Sequence, residues 1–85
     1  MSKIEVEVLF FGAAADAAQN SSCRFDFAEN ISAQKAFDEI LTRFPVLRER
    51  FGKSLLFAVN QEYADVAQII RNGDELAVFP PVSGG

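Results

Sequence analysis

The clearest helical signal in this chain, Ser32 to Phe44, lies between segments that alternate with period two, and that contrast limits the fold more than any other feature. Ala33, Ala36, Phe37, Ile40, Leu41 and Phe44 recur on one helical face, with Lys35, Asp38, Glu39 and Arg43 on the other. Ser32 is a good N-cap, and Ile31 before it is placed to staple onto Ala36. Pro45 ends the helix. An amphipathic helix must bury its stripe, and the segments around this one offer a sheet to bury it against.

Residues 3–11, KIEVEVLFF, put Ile4, Val6, Val8 and Phe10 on one strand face and Glu5, Glu7, Leu9 and Phe11 on the other. Residues 12–21 read as a loop with a helical turn in AAADAA. Cys23, Phe25 and Phe27 then alternate with Arg24 and Asp26 in a second strand, antiparallel to the first. This alternation turns Cys23 inward as a buried, inert thiol. After a loop through Gly52, residues 54–59 (SLLFAV) read as a buried strand that turns at Asn60-Gln61 into a short strand near Tyr63. Asn72-Gly73-Asp74 signals a turn. Glu75 to Phe79 is the last strand, with Leu76 and Val78 inward and Ala77 and Phe79 outward, and Pro80-Pro81 ends it.

The expected fold is therefore α+β, in ββαββ order, with a mixed sheet covered on one face by a single main helix. A β-grasp arrangement fits, its first and last strands adjacent and parallel. Residues 1–80 form the domain and 81–85 a flexible tail ending in Gly-Gly. At 85 residues the chain suits one domain, and its nine phenylalanines supply a bulky core.

Composition narrows the function. The net charge is −4 and no basic face is clustered, so no nucleic-acid partner is expected. A single cysteine excludes an internal disulfide, and charged residues break up the first segment, so no membrane partner is expected and a reducing cytoplasm is the default location. With no histidine, Ser-His and Cys-His nucleophile pairs are impossible and the commonest metal ligand is missing. Asp38-Glu39 and Asp74-Glu75 are better explained as a solvated helix face and a turn than as catalytic carboxylates. The chain is expected to bind no metal or cofactor and to be no enzyme on its own.

The chemistry points to the C-terminal segment FPPVSGG. Two prolines stop the strand and hold the exit extended. Gly84-Gly85 has no side chains, so it can enter a narrow channel and present the Gly85 carboxylate to an enzyme. A carboxylate must be activated before it can be attacked, typically as an acyl-adenylate, after which a sulfur nucleophile displaces AMP. Diglycine alone favours a frayed end of no consequence or an expression scar; directly after the last strand of a β-grasp domain it points to a carrier.

The segments VLFFGAA, LLFAVNQEY and RNGDELAVFPPVSGG resemble the family of molybdopterin synthase small subunits, the MoaD-like sulfur carriers of ubiquitin-like β-grasp fold. The likeness covers nearly the whole chain and is strongest from Leu55 onward. It implies that a ubiquitin-activating-type adenylyltransferase uses ATP on Gly85, and that a persulfide donor supplies sulfur. The thiocarboxylate would then enter the large synthase subunit and sulfurate cyclic pyranopterin monophosphate, giving the molybdopterin dithiolene. A heterotetramer with two large subunits is implied as well. The resemblance assigns Phe11, Tyr63 and Phe79 to partner contact, and the alternation independently puts Leu9, Phe11, Ala77 and Phe79 on the face opposite the helix. Pro80 and Pro81 complete the expected interface. Where many members carry an Arg-Glu pair after the first strand, this chain has Ala15-Asp16. A carrier for thiamin thiazole synthesis, a ubiquitin-like conjugating protein and a plain β-grasp binding module remain alternative readings.

Overall fold

In a computed structural model, residues 2–63 and 65–81 are described. The elements are β1 (Lys3–Phe10), α1 (Gly12–Ala18), β2 (Ser22–Ala28), α2 (Ala33–Arg43), α3 (Pro45–Phe51), β3 (Leu56–Val59), β4 (Glu62–Tyr63) and β5 (Glu75–Phe79). The strands form one mixed sheet in the order β2-β1-β5-β3-β4. β1 runs antiparallel to β2 and parallel to β5, from Glu7 opposite Glu75 to Phe10 opposite Val78. First and last strands are thus parallel neighbours, as the element order implies.

The β1 alternation is realised as strict burial of Ile4, Val6, Val8 and Phe10. Leu76 and Val78 of β5 continue the same layer, and Ala33, Ala36, Phe37, Ile40 and Leu41 of α2 join them in the core. Phe44, just after α2, meets Phe10 edge-on at 5.2 Å, and Phe37 stacks on Phe57 at 4.7 Å. Offset and edge-on contacts of this kind add to simple area burial.

The helix begins where its cap dictates: the Ser32 hydroxyl accepts from the Lys35 N–H at 3.2 Å. A second device has no counterpart in the sequence reading. The segment before β5 folds against the start of α2, where Ala33 N–H donates to the Gln68 carbonyl at 2.7 Å and Gln34 N–H to the Val66 carbonyl at 3.0 Å. These bonds satisfy first-turn donors that an α-helix cannot satisfy within itself. Ile70 N–H donates to the Ile31 carbonyl at 2.9 Å and buries its side chain beside it.

Two short helices accompany the main one. Residues 12–18 form a full helix where a turn is expected, because alanine favours helix and Ala14, Ala17 and Ala18 can pack closely on the core. Phe11 caps that helix in an extended conformation, while its N–H still donates to the Val78 carbonyl at 3.1 Å. Pro45 stops α2 as expected, yet it also opens α3 instead of a loop, since its fixed φ and missing N–H suit the first helical position. Leu47, buried, anchors α3. The third strand is shorter than expected, covering Leu56–Val59 with Leu56 exposed.

Leu76 is fully buried between Val8 and Val59 in the central ladder. Leu76→Ala is expected to cost roughly 2–5 kcal/mol in denaturant unfolding, the range of large-to-small core changes. Ser32→Ala is expected to cost about 1 kcal/mol by the same measurement, through loss of the cap.

Candidate functional site

On the face of the sheet opposite α2, one row of residues runs across four strands. Register places Leu9 opposite Ala77, Ala77 opposite Ala58, and Ala58 opposite Tyr63. The two alanines are small and form a floor, 8% and 7% exposed, while the larger side chains around them stand up as walls. Phe79 lies opposite Leu56 on the same face, and its ring meets that of Tyr63 at 6.0 Å. The result is an open concavity of about 860 Å³.

All six of the expected contact residues border it: Leu9, Phe11, Tyr63, Phe79, Pro80 and Pro81. Phe11 is 50% and Tyr63 77% exposed, so both rings face solvent rather than the core. Aromatic groups so exposed around an apolar depression mark a place where another surface can bury them. Ala77, expected outward, does point to this face but is buried as its floor. Ala58, Gln61, Glu75 and Gly12 also line the concavity and were not placed at this surface by sequence. Ala58 sits in an apolar run with no alternation, so its face could be known only from pairing with Ala77.

Local structure holds Tyr63 in place. Asn60 and Gln61 have φ of 51° and 70°, and Val59 pairs with Glu62 across them, as in a two-residue hairpin turn with both central residues left-handed. Asn60 fixes that turn to β5. Its amide oxygen accepts from the Glu75 N–H at 3.0 Å, and its amide nitrogen donates to the Asp74 carboxylate at 3.0 Å. Asp74 also accepts from the Arg71 N–H at 2.8 Å. Asp74 therefore has a structural task in the turn. Asp38 likewise accepts from Gln34 on the exposed side of α2.

Pro80 and Pro81 carry the chain out of β5 along the rim of this concavity. Gly84 and Gly85 lie outside the described residues. Among the described residues no group of three or more His, Cys, Asp or Glu could hold a metal ion, and no helix is long and apolar enough to cross a membrane.

Comparison with known proteins gives this geometry a context. Residues 8–85 match the ThiS family. The chain belongs to that family. The human molybdopterin synthase sulfur carrier subunit is 37% identical over 84 residues, covering 95% of this chain and 94% of the human one. Among solved structures, SAMP1 (small archaeal modifier protein 1) from Haloferax volcanii superposes with a TM-score of 0.83 at 30% identity, covering 95% of this chain and 99% of that one. A chain from the complex of subunits 1 and 2 of the molybdopterin-converting factor of Helicobacter pylori 26695 matches with a TM-score of 0.64 at 28% identity, over 96% and 100% of the two chains. The fold of this ThiS-family chain is the ubiquitin-like β-grasp.

Two other positions complete the picture. In α1, Ala15 packs against the core and Asp16 is exposed. Cys23 is half-buried rather than fully buried, on β2, which among the described residues has a sheet neighbour on one side only. It lies in a cleft with Phe25, Arg43 and Phe44. Burial pushes the Cys23 thiol above its ordinary pKa, and the nearby Arg43 charge opposes this in part. The folded state therefore holds the proton more tightly than the unfolded chain does. Stability from this group is full below the unfolded thiol's pKa and declines as pH rises toward the folded one. Iodoacetamide is expected to label native Cys23 more slowly than the urea-unfolded chain near neutral pH, with the gap narrowing in alkali. Equal native and unfolded rates would contradict a shielded thiol.

Proposed function

We propose that this ThiS-family chain is the sulfur carrier of molybdopterin synthase, with Gly85 as the carrying group and the concavity as its docking face. The observation that bears most weight is the position of the concavity: its rim includes Pro80 and Pro81, through which β5 leads toward Gly84-Gly85. A partner that grips Phe11, Tyr63 and Phe79 thereby also meets Pro80 and Pro81, the residues that precede the C-terminal segment in sequence. The kinship with the human carrier subunit and the likeness to the Helicobacter pylori complex support a large synthase subunit as one such partner.

The chemistry takes place on the backbone terminus. An adenylyltransferase joins the Gly85 carboxylate to the AMP moiety of ATP, releasing pyrophosphate. The terminal sulfur of a donor persulfide attacks the acyl carbon and AMP leaves. A second thiol then cleaves the sulfur–sulfur bond, leaving a thiocarboxylate and a disulfide. In the large subunit that sulfur passes to cyclic pyranopterin monophosphate, and two such deliveries build the dithiolene. ATP serves the activating enzyme, and this chain supplies no catalytic side chain, in keeping with its lack of histidine. These steps belong to the cytoplasm. A conjugating role has support from the likeness to SAMP1, whose name is that of a modifier protein; it would leave Gly85 in an amide bond to a lysine.

Intact-mass measurement separates these readings. With ATP, an adenylyltransferase and a persulfide donor, the chain is expected to gain the mass of one sulfur less one oxygen, and a chain lacking Gly84-Gly85 is not. Adding the large subunit and the pterin precursor should reverse the gain. A persistent gain, or a mass increase equal to a second protein, would displace the molybdopterin reading. Phe11→Asp is expected to weaken calorimetric binding to the large subunit about tenfold or more, as loss of an aromatic anchor does. Its melting temperature should change little, since Phe11 is half exposed.

A further inference from the structure

Among the described residues β2 pairs with β1 alone, so its other side is open. Two bonds fix which backbone groups face that side. Phe10 N–H donates to the Ser21 carbonyl at 2.9 Å, and Glu29 N–H donates to the Ser2 carbonyl at 3.3 Å. In an antiparallel pair, hydrogen-bonded and non-hydrogen-bonded positions alternate, so Cys23, Phe25 and Phe27 bond to β1. The N–H and C=O groups of Ser22, Arg24, Asp26 and Ala28 consequently point away from the sheet, and none bonds to another described residue.

An edge of this kind is a template for a further strand unless charge or proline blunts it. A single sign of charge would repel a second copy. Here Arg24 and Asp26, both exposed, carry opposite signs two residues apart on the same face. For two antiparallel copies joined by these outward groups, the register can centre on Arg24, Phe25 or Asp26. Centring on Arg24 sets guanidinium against guanidinium, and centring on Asp26 sets carboxylate against carboxylate. Centring on Phe25 sets Arg24 of each copy against Asp26 of the other, and Ser22 against Ala28. Registers nearer either end shorten the ladder.

We propose that β2 is a self-complementary edge on which a second copy of this chain docks antiparallel in the register centred on Phe25, joining two sheets into one. Phe25, half-buried, then meets its counterpart at a non-hydrogen-bonded position, where facing side chains are closest. The ion pair of Arg24 with Glu5 does not compete strongly, at 3.4 Å with side chains 72% and 58% exposed. Two copies of net charge −4 repel at long range, so the dimer is weak and the local pairs decide its register. The concavity, centred on β5, β3 and β4, lies toward the opposite end of the sheet and stays open in this dimer.

Sedimentation velocity of the full chain, from micromolar to millimolar concentration, is expected to show a reversible monomer–dimer equilibrium. Arg24→Asp and Asp26→Arg each put like charges into both symmetric pairs and should weaken the dimer about tenfold. The double variant carrying both changes restores opposite signs and should restore the dimer. Circular dichroism melting checks that each variant is folded. A chain that stays monomeric throughout, a dimer indifferent to the single reversals, or a double variant no better than either single one would overturn the proposal.

Discussion

The parallel pairing of β1 with β5 is the constraint on which the rest of this molecule depends. Parallel neighbours cannot be joined by a tight turn, so the chain between them must cross over one face of the sheet. That crossover contains α2, and its apolar stripe fills the face where Val6, Val8, Leu76 and Val78 converge. The same pairing fixes the other face. It sets Leu9 beside Ala77 and, with Phe11 bonded to Val78 through its N–H, brings the end of β1 next to the end of β5. The chain leaves the sheet beside the aromatic residues that border its concavity because of this ladder.

Secondary devices keep that arrangement rigid where the sheet alone would not. β4 is two residues long and its pairing with β3 is correspondingly slight. Asn60 compensates by bonding through both ends of its amide to β5 and to the turn before it. On the far side of that turn, the Asn72 side-chain oxygen accepts from the Glu5 N–H at 2.8 Å, tying the loop to β1. Tyr63 is thus positioned by bonds made elsewhere, which lets its ring remain exposed without the strand fraying.

Legibility in the sequence followed the strength of local patterns. The stripe of α2, its Ser32 cap and its stop at Pro45 were all readable, and so was the alternation of β1, because each is a regular period ended by a residue of known conformational effect. α3 was hidden behind that same proline, which both ends one helix and starts the next; Leu47 and Phe51, four residues apart, were the available hint. α1 contains alanines with no apolar stripe, so only the space left beside the core decides that it forms a whole helix. The segment 66–70 is governed by backbone bonds to the start of α2, and such bonds leave no trace in residue type. Of the concavity, the projecting side chains and the face of Ala77 were legible, while the floor that Ala77 makes with Ala58 was not. Ala58 and Ala77 matter for being small, and smallness becomes a feature only when larger neighbours stand around it.

The two ends of the sheet differ in chemistry, and the difference follows from what each is next to. At β3, β4 and β5 the exposed face is apolar and shaped, so what it offers a partner is aromatic surface to bury. At β2 the exposed feature is a row of backbone groups with no partner among the described residues, flanked by alternating charge, so what it offers a partner is hydrogen bonds and register. Neither surface requires a reactive side chain. The chain has no histidine and burial pushes its single thiol toward the protonated form, so what the fold presents at both ends of the sheet is shape, charge and backbone groups.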